Sequence, residues 1–306
     1  MSEDVITPCS KRGYLNKDFE FFHLKDKKDM QFEFHYHDFN KIIIFISGKV
    51  TYLIEGKVYK LKPWDILLVS SSEVHKTVID SKDTYERVII WVNSNFLSKH
   101  NTAECDLMTC FDIAAKQGSN LFRLSPELIQ NLKYILLQLE DASSSKDFGS
   151  SVLSNSLFLQ FMVYLNRLSL GSGNVMEAAD IEYDEGIGSV IKYINENLSG
   201  DLTIDALASL FYMSKYYLMH KFKSKTGYTI HNYILQKRLI MANNMIRNGR
   251  PVTEACLKCG FGDYSNFVRS FKKSFGLPPK KHHKMAAEME DFYEQNTHNS
   301  KENRTE

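Results

Sequence analysis

Ser265, Arg269 and Lys272 fall within the run Gly260-Phe261-Gly262-Asp263-Tyr264-Ser265-Asn266-Phe267-Val268-Arg269-Ser270-Phe271-Lys272-Lys273. A helix over this run turns by about 100° per residue, which puts Phe267 and Phe271 on one side and Ser265, Val268, Arg269 and Lys272 on the other. A hydroxyl and a guanidinium on one exposed face can meet base edges, and neighbouring lysines can neutralise phosphates. Arg269 is the candidate for a bidentate contact to guanine; the competing reading is an ordinary surface ion pair. Cys256-x-x-Cys259 just upstream has the spacing of a metal or redox pair. No second Cys or His pair lies at finger spacing, and both cysteines fall on the apolar side of a predicted helix, so packing is expected there.

The elements that must position these residues occur twice. Leu207-Ala208 begins a helix and turn, and Ser214 opens a second helix running to Gly227; Ala255-Cys256-Leu257 leads through Gly260-Phe261 to Asp263 and a helix ending at Gly276. Ala208 and Cys256 are 48 residues apart, whereas Phe222 and Phe271 are 49 apart, so the second turn holds one extra residue. Gly260 and Gly262 give the backbone freedom for it. In the first copy Leu218 and Phe222 share a face with Lys215 nearby, and Tyr216, Met219, His220 and Lys223 lie opposite. Tyr216/Ser265, His220/Arg269 and Lys223/Lys272 are therefore the equivalent outward pairs. Thr229 to Arg247 reads as one joining helix, roughly 28 Å long at 1.5 Å per residue. Helices reading adjacent major-groove turns must sit about 34 Å apart, so one chain can reach both.

Charge agrees. Residues 187–284 carry 16 Lys+Arg against 5 Asp+Glu, a net +11, while residues 1–186 are −6 and 285–306 are −4. A basic segment of this strength points to a polyanion, through counterion release. The start Met1-Ser2-Glu3-Asp4 lacks a signal-peptide pattern and no apolar run reaches the length of a membrane span. Five cysteines, an odd number without a disulfide framework, fit a reducing cytoplasm.

The first ~95 residues read as strands. Gln31 to His37 alternates, with Phe32, Phe34 and Tyr36 opposite Glu33, His35 and His37; Ile42 to Ile46 is a short apolar run. Val50 to Ile54 and Val58 to Leu61 flank a Glu55-Gly56-Lys57 turn, and Ile66 to Val69 and Arg87 to Val92 add strands. This spacing implies a sandwich or small barrel. Ser125-Pro126-Glu127-Leu128 starts a helix carrying Leu128, Leu132, Ile135, Leu136 and Leu139. A second helix, roughly 150–168, carries Leu153, Leu157, Phe161, Val163, Tyr164 and Leu168, and the pair either covers the barrel or forms a dimer seam. Residues 171–186, acidic and without Lys or Arg, read as a flexible linker, and 285–306 as a polar, partly disordered tail.

The C-terminal ~100 residues resemble the DNA-binding domain of AraC/XylS-type transcription regulators. The match runs through Arg238-Leu239-x-x-Ala242 and Gly260-Phe261-x-Asp263-x-x-x-Phe267-x-Arg269-x-Phe271-Lys272-Lys273-x-Phe275-Gly276-x-x-Pro279. Cys256 stands where a small Ala is usual, and Phe211-Tyr212 replaces a less bulky turn. The resemblance implies that Tyr216, Met219, His220, Tyr264, Ser265 and Arg269 face bases, with Lys215, Lys223, Lys272 and Lys273 beside them for phosphates, and that Arg238 is architectural.

Residues about 30–92 resemble the cupin-like barrel of one branch of that family, through His35-x-His37, Gly48, Leu61-Lys62-Pro63-Trp64-Asp65 and His75. A metal-binding cupin usually adds a carboxylate after the His pair; this chain has Lys41 near that place, Trp64 where Gly is usual and Ser70 where Pro is usual. The expectation is therefore a pocket without a metal or other cofactor. It would take a small effector such as a sugar, with His35, His37, His75, Tyr52, Trp64 and Trp91 as its walls. The architecture expected is α+β: a cupin-like β-barrel with a helical hairpin over 1–170, a linker at 171–186, an all-α domain with two helix-turn-helix motifs over 187–284, and the tail. The function expected is an effector-responsive DNA-binding regulator of the cytoplasm, a homodimer with double-stranded DNA, an effector and RNA polymerase as partners and no membrane. The alternative is a cupin-type metal enzyme fused to a DNA-binding module, with His35, His37 and His75 on the metal.

Overall fold

The structure, a computed structural model, describes residues 15, 17–27, 35–37, 39–71, 73–80, 83–171 and 181–284. Two compact units divide the chain, Met1–Asp184 and Glu185–Glu306.

The first unit is built on two antiparallel sheets. In chain order its elements are β1 (Phe19–Asp26), β2 (Asn40–Ser47), β3 (Val50–Ile54), β4 (Lys57–Lys60), β5 (Ile66–Val69), β6 (His75–Ile79), β7 (Tyr85–Val92), α1 (Ser94–Ser98), α2 (Thr109–Gln117), β8 (Leu121–Phe122), α3 (Pro126–Ser144), α4 (Ser150–Leu170) and β9 (Ile181–Tyr183). One sheet runs β1-β7-β2-β5-β8 and the other β6-β3-β4-β9. Alternation along β2 divides its side chains between two cores. Ile42 and Ile44 pack with the helices, against Leu132, Leu136, Phe158 and Phe161. Ile43 and Phe45 pack instead with Tyr52, Tyr59, Ile79, Tyr85 and Trp91, which come from both sheets. Both faces of β2 are thus buried, which is why the run reads as continuously apolar.

The expected hairpin is present in a tight form. Ile54 pairs with Lys57, and Glu55 and Gly56 both take positive φ, 47° and 77°, the two-residue turn whose twist matches its strands. Several elements were not anticipated. β1 is an edge strand with little full burial, paired to β7 alone, so its hydrophobic pattern is weak. β6 carries Lys76, Thr77 and Val78 between His75 and Ile79, and gives no apolar run. On α4 the buried apolar set is Leu157, Phe158, Phe161, Met162 and Leu165, while Leu153 and Tyr164 face outward. Phe32, Glu33 and Phe34 lie outside the described residues, as do 172–180 of the acidic segment and the tail from 285. The end of that acidic segment is a strand, since Ile181–Tyr183 pairs with β4.

The second unit is helical: α5 (Glu185–Glu196), α6 (Ile204–Leu210), α7 (Lys215–Thr226), α8 (Ile230–Arg247), α9 (Val252–Lys258) and α10 (Tyr264–Phe275). Thr203, Ser214, Thr229 and Asp263 cap four of these helices, each side chain accepting a backbone N–H of the first turn. Gly227 and Gly276 end α7 and α10 in the left-handed conformation, at φ 75° and 82°.

Candidate nucleic-acid interface and effector site

The two helix-turn-helix copies differ in their turns as their spacing requires. Four residues separate α6 from α7 and five separate α9 from α10. Each turn passes through one left-handed residue, Tyr212 at φ 53° in the first and Gly260 at φ 76° in the second. Tyr212 is almost wholly exposed, so its side chain contributes no packing to offset that conformation.

On α7 the buried residues are Leu218, Phe222 and Thr226; Lys215, Tyr216, Met219, His220 and Lys223 are exposed. The Tyr216 and His220 rings stack at 6.1 Å, one turn apart. Lys215 is ion-paired with Asp205 of α6, so it serves the contact between the two helices of the motif. On α10 Phe267, Phe271 and Ser274 are buried, and Tyr264, Ser265, Arg269, Lys272 and Lys273 are exposed. Val268, expected to point away, is half-buried against the apolar cluster of α8 and α9. The exposed faces therefore carry hydroxyl, imidazole and guanidinium groups with a cationic margin, and no carboxylate.

Arg238 holds this unit together from α8. Its Nε donates to the Leu198 carbonyl at 2.8 Å and one Nη to the Gly200 carbonyl at 2.9 Å. Cys256 and Cys259 are buried in the cluster formed by Leu239, Ala242, Ile246, Phe267 and Phe271. Burial raises both thiols, Cys259 to about 11, so neither is a ready thiolate. The pair packs.

In the first unit the backbone brings three histidines together. His35 and His75 exchange backbone hydrogen bonds at 3.0 and 2.9 Å, and the ligand atoms of His35, His37 and His75 all lie within 4.8 Å of one another. The His37 ring stacks on Phe39 at 4.7 Å and lies 6.3 Å from Trp91. His37 and His75 are 4% and 1% exposed, and burial, then the charge of Lys41, holds both well below the ordinary imidazole value. They are neutral near pH 7. Trp91 joins this group; the other two aromatic candidates do not. The Tyr52 hydroxyl is hydrogen-bonded to Tyr85 at 2.6 Å. Trp64 belongs to the helix-side core, with Lys133 of α3 4.5 Å above its ring. It also sits at φ 73°, which explains why glycine suits that turn.

Lys41 is the residue the sequence reading left out of the site. It is 3% exposed and its Nζ lies 3.4 Å from His37 Nε2. Its position on β2, in register with Trp91 of β7 and two residues before interior-facing Ile43, was the available signal. An ammonium only donates, so His37 Nε2 accepts and Nδ1 carries the ring proton. His75 Nδ1 lies 3.0 Å from the Glu73 carbonyl and donates to it, leaving Nε2 with a lone pair. Three imidazoles of a metal centre would each turn a lone pair to one cation. Here one lone pair already faces an ammonium, so the set does not fit a metal.

Two family models match the chain, an AraC-like ligand binding domain over residues 21–162 and a helix-turn-helix domain over residues 207–285. The chain is an AraC/XylS-type transcription regulator. The HTH-type transcriptional activator RhaS of Salmonella schwarzengrund (strain CVM19633) is 25% identical over 251 residues, covering 80% of this chain and 85% of that protein. RhaS of Citrobacter koseri is 24% identical with the same coverage. Among solved structures, a probable AraC family transcriptional regulator from Rhodopseudomonas palustris is 28% identical, with TM-score 0.32, covering 34% of this chain and 98% of that one. As an AraC-type regulator the chain combines an effector domain, whose match spans both sheets up to β8 and the histidine group, with a DNA-binding domain whose match spans α7 and α10. Among the described residues no helix is long and apolar enough to cross a membrane.

Proposed function

We propose that α7 and α10 lie in two successive major-groove turns of double-stranded DNA. Tyr216, Met219, His220, Tyr264, Ser265 and Arg269 meet base edges, and Lys223, Lys272 and Lys273 meet phosphates. The observation that carries this reading is the paired exposure of Tyr216/Ser265, His220/Arg269 and Lys223/Lys272 on two helices that lie on either side of α8 in the chain. The 18 residues of α8 span about 27 Å, a length suited to two groove turns about 34 Å apart. The +11 charge of residues 187–284 supplies the nonspecific attraction.

The effector pocket is read at His35, His37, His75 and Trp91, with Lys41 added; Tyr52 and Trp64 are not part of it. A small metabolite there biases how the basic unit engages DNA; the first unit senses rather than catalyses. Homodimerisation through the α3–α4 face is supported by outward Tyr134, Leu137, Val152 and Leu153. The protein works in the cytoplasm, with RNA polymerase as its further partner, in line with relatives called activators.

Selection of binding sites from random duplex DNA tests the DNA reading. Two constrained blocks per chain, about one helical turn apart, are expected. A single short block per chain would mean that one helix reads and the other does not.

A further inference from the structure

The chain between the two units ends in a short strand at a sheet edge. β9 pairs antiparallel with β4, Tyr183 with Lys57, Glu182 with Val58 and Ile181 with Tyr59. It is the outermost strand of its sheet, beyond β6, β3 and β4. Each of its residues has a holder. Ile181 packs against the cluster that contains Tyr52, Tyr59 and Leu121. Glu182, on the opposite face by strand alternation, is ion-paired with Lys60. Tyr183 lies beneath Lys57, whose Nζ is 5.1 Å from the ring centre and also donates to the Gly118 carbonyl at the end of α2. The hold is nevertheless light. Ile181 is only half-buried, and Glu182 and Tyr183 are exposed. So short and exposed an edge opens at lower cost than the strands within the sheet.

The position of this strand in the chain gives the contact its consequence. Asp184 alone separates β9 from α5, the first helix of the second unit. α5 buries Ile187, Val190, Ile191 and Ile194, so unwinding it to gain length would expose that face. With β9 docked, the link from Tyr183 to Glu185 spans at most about 7 Å. With β9 released, the link is residues 171–184, and a free chain of that length has a root-mean-square span of about 20 Å. We infer that β9 is a strap that sets the length of the link between the two units, and with it the spacing of DNA sites that two joined copies occupy together. The inference rests on the homodimer reading and adds how the first unit limits where the second binds. Moving paired sites apart by one helical turn keeps them on one face of the DNA and adds about 34 Å. Two docked links supply about 14 Å between them, too little to follow. Two released links supply about 40 Å.

The test fastens and frees the strap in the full-length protein. Val58→Cys with Glu182→Cys puts thiols at directly paired positions, within reach of a disulfide under oxidised glutathione. Ile181→Gly with Tyr183→Gly removes two of the three holders from the strap and leaves β4 unchanged. Binding is measured to the site selected from random duplex DNA, as a single copy and as two copies. The two copies are set at the spacing the oxidised protein prefers, and again with one added turn of about 10 base pairs. At the preferred spacing all forms should bind the paired sites more tightly than the single copy. The added turn should cost the oxidised protein about tenfold or more, through lost avidity, and leave the glycine variant nearly unaffected. Reduction of the disulfide should return the response to that of the wild type, and wild type given the same oxidation should not change. An equal response of the oxidised protein and the glycine variant to the added turn would overturn the strap. Failure of the two thiols to join would overturn it as well, because β9 would then not dock. If no form prefers paired to single copies, the homodimer reading fails and the inference falls with it.

Discussion

Gly260 rests on Arg238: a Cβ there would lie 3.0 Å from the guanidinium carbon and 2.8 Å from the Leu198 carbonyl oxygen that Arg238 binds. The turn that aims α10 is thus seated on the side chain that ties α8 to the loop after α5. Positive φ and close approach coincide at Gly260, and both exclude a larger side chain. Gly260→Ala should destabilise the second unit by about 1–3 kcal/mol, read as a lower Tm. Arg238→Met should also lower Tm, by removing the hydrogen bonds to the Leu198 and Gly200 carbonyls, while the base preference of the folded fraction stays that of the wild type. A changed base preference in Arg238→Met would make Arg238 a reader rather than a brace.

Lys272 is exposed near the end of α10, beyond the residues assigned to bases. Lys272→Ala should weaken binding evenly across DNA sequences and reduce the slope of log affinity against log salt by about one. Affinity measured at several salt concentrations checks this. An unchanged slope would take Lys272 off the phosphates.

The buried imidazoles predict an acid limit to stability. His37 and His75 are held low first by burial and then by Lys41, so the folded protein refuses protons that the unfolded chain binds near pH 6.5. Their contribution is fully present above about pH 6.5 and is lost as pH falls from there toward the depressed folded values. Tm should therefore drop between pH 7.5 and 5.5, and it should drop less in a His37→Gln, His75→Gln double variant. An equal drop in both proteins would show that these histidines do not set the acid limit.

Leu137 and Leu153 are 65% and 54% exposed on α3 and α4. If this face joins two copies, Leu137→Lys with Leu153→Lys should give a monomer in sedimentation measurements, with the fold intact by circular dichroism. A dimer that survives both changes would place the interface elsewhere.

The helical unit was legible because local rules decide it. Ser214 and Asp263 mark helix starts, Gly227 and Gly276 mark ends, and the single extra residue at the Gly260 turn shows directly in the 48 against 49 spacing. The barrel site was legible only in part. Alternation and motif put His35, His37 and His75 together, and the structure does the same. Trp64 looked like a pocket wall because it sits beside the motif. Its positive φ turns it onto the helix-side core, which depends on tertiary packing with α3. Lys41 was noted as a missing carboxylate rather than as a group in its own right. A charged residue on a strand buried on both faces is costly unless something is paired with it, and that cost was the unread signal.

The central claim is that α10 reads bases through Arg269, and the decisive measurement is the affinity of wild type and Arg269→Ala for a selected site and each of its single-base variants. The account predicts that Arg269→Ala loses about 1–3 kcal/mol on the selected site and that preference disappears at one position, with the other positions discriminated as before. Unchanged affinity with every base preference retained would contradict it and would return Arg269 to the solvent-exposed margin of α10.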